Sequence, residues 1–92
     1  MKFQIANPMK ANLDKIDDAV LALLHLTSFC ERKGELPRAW KGHDWDAMGR
    51  LHQADFIADP VGKAKSVVLT PIGLAESKRL LHALFGRRAD GA

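Results

Sequence analysis

Ninety-two residues, a formal net charge of +3 and a single cysteine leave room for one hydrophobic core and none for a second. A hydrophobic content of 47% argues against general disorder. The longest unbroken apolar run, Ala19 to Leu24, is far too short to cross a bilayer. The start, MKFQIANPMKAN, lacks the apolar stretch of a secretion signal. With Cys30 alone there is no intrachain disulfide, which fits a reducing, cytoplasmic setting.

The positive charge is unevenly placed. From Asp14 to Asp59 there are six basic and nine acidic residues, whereas Pro60 to Phe85 carries four basic and one acidic. A basic face is the usual footprint of a nucleic-acid binder. Only the C-terminal third meets that description.

Residues 1–12 read as a flexible N-terminal arm, with a brief extended stretch at FQIA before Asn7-Pro8 interrupts it. Asp14 is the expected N-cap of a first helix, with Asp17 and Asp18 favoured by its dipole. That helix is predicted to run to about Phe29, with Leu13, Ile16, Val20, Leu23, Leu24 and Thr27 as its strongest apolar stripe. Leu21 and Phe29 fall outside the stripe, so the helix is apolar on more than one face. It is therefore central in the fold or shared with a second subunit.

Residues 31–43, ERKGELPRAWKGH, break the pattern. Pro37 lies where a full helix would have its middle, so a single turn or a short extended piece at Arg38-Ala39-Trp40 is expected. Asp44 then opens a helix to about Ala54, predicted to turn Trp45, Met48 and Leu51 inward and to pair Asp46 with Arg50 outside. Phe56-Ile57 reads as a strand, Asp59-Pro60-Val61-Gly62 as a turn, and Ser66–Leu69 as the returning strand. Thr70-Pro71 starts a last helix, a capping hydroxyl before proline at the first helical position. Its apolar side is Leu74, Leu80, Leu81, Leu84 and Phe85, and Gly86 is the expected C-cap. Residues 87–92 read as a disordered tail.

The fold class predicted is α+β, mainly α, a reduced winged helix-turn-helix over residues 13–86: helix, irregular segment, helix, β-hairpin wing, helix. The segment LTPIGLAESKRL after the hairpin resembles the wing and following helix of bacterial regulators of the multiple-antibiotic-resistance type. LDKIDDAVLALLHLT, AWKGHDWDAMGRLH and ADPVGKAKSVVLTPIGLAES are similar to a family of small bacterial proteins of unknown function. That resemblance covers residues 13 to about 85 and implies a fold, with no catalytic residue or ligand.

Six residues are candidates for nucleic-acid contact. Lys63 and Lys65 sit at the wing tip, Arg50 and Gln53 on the outer face of the preceding helix, and Arg38 and Lys41 beside them. Against this, the helix begins with Asp44 and Asp46, the turn that recognition helices usually present to the groove. Trp40 and Trp45 bracket Lys41-Gly42-His43 and could stack a planar ligand, but read better as apolar anchors. His43 and His52 match no zinc spacing, DPVGK lacks the first glycine and the hydroxyl of a phosphate loop, and Cys30 near His25 has no third group to orient a base. No metal, cofactor or enzyme activity is expected. Two readings stay open: a dimeric DNA-associated regulator joined through helix one and the last helix, and a protein-interaction module on the same scaffold.

Overall fold

A computed structural model describes residues 10–87. The FQIA segment of the arm and the tail from residue 88 lie outside the described residues. The chain runs α1 (Leu13–Leu26), β1 (Arg38–Trp40), α2 (Trp45–Gln53), β2 (Ser66–Val68) and α3 (Pro71–Phe85). The architecture is mixed α+β and mainly helical, as the sequence predicts.

Each helix start has a local cause. The carboxylate of Asp44 accepts the Ala47 amide at 3.0 Å, and the Thr70 hydroxyl accepts that of Gly73 at 3.0 Å, with Pro71 following. For α1 the cap is Asn12, whose side chain accepts the Lys15 amide at 3.1 Å. It is not Asp14, which instead occupies the first turn. The helix also stops at Leu26 and not near Phe29. The Thr27 and Ser28 hydroxyls take the Leu23 and His25 carbonyls, and Phe29 exchanges two backbone hydrogen bonds with Arg38.

The sheet departs from the expected hairpin in its main pairing. β2 pairs antiparallel with β1, Ala39 opposite Val67, while Ile57 contributes one bridge to Leu69 on the other side of β2. Phe56-Ile57 is too short to form a ladder of its own, and β1 offers three successive partners. The turn signals hold: the Asp59 side chain accepts the Val61 amide at 2.9 Å, and Gly62 has a φ of 143°.

α1 is central, packed by α3, α2 and β1, and buries Val20, Leu21, Ala22 and Leu24. Its apolar surplus is largely consumed inside the fold, and Leu21, off the sequence stripe, is among the most buried residues. Leu13 and Leu26 are exposed, as are Leu84 and Phe85 at the end of α3. Trp45 is also a correction, being 53% exposed. At about 100° per residue, the series i, i+3, i+6 drifts about 60° at each step. Ala47, Met48 and Leu51 therefore form the buried face, and Trp45 falls off its edge.

α2 ends in a Schellman arrangement. The Phe56 amide donates to the Leu51 carbonyl and the Asp55 amide to that of His52, with Asp55 left-handed at φ 68°. That turn brings the Phe56 carbonyl to the start of α3, where it accepts the Thr70 amide at 3.1 Å. No helix is long and apolar enough to cross a membrane among the described residues.

Candidate nucleic-acid interface

The six candidate residues separate into two groups. Arg50, expected to pair with Asp46 and to face outward, forks onto Asp17 of α1 instead, Nε to Oδ2 at 2.7 Å and Nη2 to Oδ1 at 2.8 Å. A planar guanidinium meets a carboxylate with two parallel hydrogen bonds, and a mobile i,i+4 partner within one helix cannot match that. The Asp17 hydrogen bond raises the Arg50 pKa, with Asp17, Asp44 and Asp46 adding through their charge. The only arginine of α2 is thereby neutralised by its own fold.

Arg38 is also occupied. Its Nε donates to the Ser66 hydroxyl at 2.7 Å and its Nη2 to the Ser66 carbonyl at 3.0 Å, a clasp across the sheet. The Lys41 ammonium donates to the Pro60 carbonyl at 2.6 Å and the Gly62 carbonyl at 3.3 Å, while its backbone amide donates to Lys65. Lys41 is thus the post to which the loop of residues 60–65 is tied. Gln53, Lys63 and Lys65 are exposed and make no side-chain hydrogen bond or ion pair among the described residues.

The start of α2 is acidic as well as occupied. Asp44 and Asp46 are exposed, with the half-exposed Trp45 between them. Trp40, 56% exposed, stacks on Phe29 with ring centroids 5.0 Å apart. It lies on the outer face of β1, whereas Ala39 points into the core. Neither tryptophan is the buried anchor that composition implies.

One polar pair escaped the sequence reading. His25 turns away from Cys30 and meets Ser77, Nδ1 to Oγ 3.0 Å. Ser77 gives its single hydroxyl proton to the Leu74 carbonyl at 2.9 Å, so Nδ1 of His25 is the donor between them. Ser77 is fully buried and out of reach of any substrate, which makes this a hydrogen-bonded clamp between α1 and α3. The signal for it, a serine on the apolar side of a helix, is too common to single out. Cys30 is exposed, its Sγ 3.7 Å from the Glu35 carbonyl.

Comparison with known proteins places these features in a family. Residues 12–87 match a family model described as a domain of unknown function, DUF6429. The chain is 53% identical over 79 residues to an uncharacterised protein, y4hR, of Sinorhizobium fredii (strain NBRC 101917 / NGR234), covering 86% of this chain and all of that one. No solved structure matches.

Proposed function

The chain belongs to the DUF6429 family of small bacterial domains, and we propose that it is a protein-interaction module on a reduced winged-helix scaffold, working without catalysis and without reading duplex sequence. The fork of Arg50 onto Asp17 carries this reading. It removes the arginine from the outer face of α2 and leaves Asp44 and Asp46 as the exposed charges of the first turn. A phosphate-lined groove repels such an end. The exposed Trp40, Trp45 and Val61 suit a protein partner better than a polyanion.

A second reading, a DNA-associated regulator, is favoured by Lys63 and Lys65, which are exposed at the wing and carry no ion pair among the described residues. The resemblance of LTPIG to the wing-to-helix segment of multiple-antibiotic-resistance-type regulators points the same way. Contact would then come from Lys63, Lys65 and Gln53, with Arg38, Lys41 and Arg50 held back by their internal partners. A dimer through α1 and α3 is the weaker form of assembly, because α1 spends most of its apolar surface inside.

Fluorescence polarisation with labelled duplex across a salt series separates the two. On the interaction reading the wild type shows at most a weak, sequence-blind signal, which Lys63→Glu/Lys65→Glu lowers equally for every duplex. Sequence-dependent binding that falls steeply with salt and is lost in the double variant would establish the regulator instead.

A further inference from the structure

The surface around Lys41 presents two small patches of opposite sign. On one side is the first turn of α2, where Trp45, 53% exposed, stands between the carboxylates of Asp44 and Asp46. On the other is the loop of residues 60–65, where Val61, 72% exposed, precedes Lys63 and Lys65. The two are neighbours because Lys41 joins them. Its ammonium holds the Pro60 and Gly62 carbonyls and its amide holds that of Lys65. Asp44 follows three residues later, after a tight turn closed by the His43 amide on the Lys41 carbonyl. Among the described residues neither pair forms a salt bridge, those present joining Arg50 to Asp17 and Arg79 to Glu76, although the Arg50 charge still reaches Asp44 and Asp46.

We infer that this surface docks onto a second copy of the chain, Asp44-Trp45-Asp46 of each copy seated against Val61, Lys63 and Lys65 of the other. The assignment rests on the interaction reading above and names its partner. Two adjacent patches of opposite sign suit a two-fold axis. Rotation by half a turn sets acid on base twice, and the contact closes as a dimer without growing into a filament. Trp45 and Val61 supply the apolar centre and the four charges a rim that fixes register.

The test is light scattering over a concentration series at low and high salt, with wild type, Lys63→Glu/Lys65→Glu and Asp46→Lys. Asp44 is left in place because it caps α2. Wild type is expected to move from monomer to dimer with concentration and to dissociate at about 0.5 M salt. Each variant alone should self-associate at least about tenfold more weakly, since the double variant sets acid against acid and Asp46→Lys replaces one attraction at each contact by a repulsion. Mixing the two variants restores one native contact, Asp44 and Asp46 against Lys63 and Lys65. At the other it sets the introduced lysine against the introduced glutamates beside an unchanged Asp44. A mixed dimer therefore forms more tightly than either variant alone; a variant that had merely unfolded could not do this. A wild type that stays monomeric, variants that dimerise as tightly as wild type, or a mixture that associates no better than its components would each overturn the assignment. A monomer that also ignores DNA leaves the interaction reading standing with a different partner. Sequence-dependent DNA retention that is lost in Lys63→Glu/Lys65→Glu would remove that reading itself.

Discussion

Gly73 shows how one residue ties two segments together. A Cβ built there would lie 1.7 Å from the Phe56 carbonyl oxygen and within 2.8 Å of two further Phe56 backbone atoms. No side-chain movement relieves a clash with backbone. The Leu-Thr-Pro-Ile-Gly segment thus needs glycine for close approach, since its φ is ordinary and the helix it opens would prefer alanine. Gly73→Ala should lower unfolding stability by about 3 kcal/mol or prevent folding, read as the denaturant midpoint. Gly49, midway along α2, has nothing within 4 Å of its built Cβ, so Gly49→Ala should stabilise by about 0.5–1 kcal/mol. Equal effects at the two glycines would refute the close-approach account. The sequence displayed the glycine within the Leu-Thr-Pro-Ile-Gly segment but not the reason for it, because Phe56 is distant in sequence.

At the scale of the element, local chemistry made most boundaries readable. Asp44, Thr70-Pro71 and Gly86 mark helix ends because capping acts within four residues. The start of α1 was misread: Asp14 was expected as the cap, but Asn12, two residues earlier and equally able to cap, takes that place by its backbone geometry. Along α3, Arg79 forks onto Glu76 one turn earlier, Nε to Oε1 at 2.9 Å. The Arg79 hydrogen bond holds the Glu76 carboxyl below its usual pKa, against slight desolvation. A depressed carboxylate pKa contributes stability above the ordinary Glu range, and that contribution disappears as pH falls through the lowered value. Glu76→Gln should therefore lower Tm by about 1 °C at pH 7, small because the pair is exposed. The gap to wild type should close between about pH 5 and pH 3. A gap that widens on acidification would assign the effect to something other than this pair.

For the whole molecule, α1 decides the packing. Leu21, Leu24, Met48, Ile57 and Leu69 are the large side chains at its centre, drawn from four stretches of chain. Leu24→Ala should cost about 3 kcal/mol in chemical denaturation. Leu26→Ala, at a residue 62% exposed, should stay within about 0.5 kcal/mol. Similar losses at both would mean that Leu26 is covered in solution, which would revive assembly through α1. By itself the sequence determined the number and order of helices, the caps that open α2 and α3, the turn at Gly62 and the uneven spread of charge, all of which follow from composition or from interactions within a few residues. The tertiary structure alone decided that β2 takes β1 as its main partner, that Arg50 answers to Asp17 and not Asp46, and that Trp45 faces solvent. Each of those is a choice among chemically equivalent partners, made by which groups the packing of α1 brings within hydrogen-bonding distance.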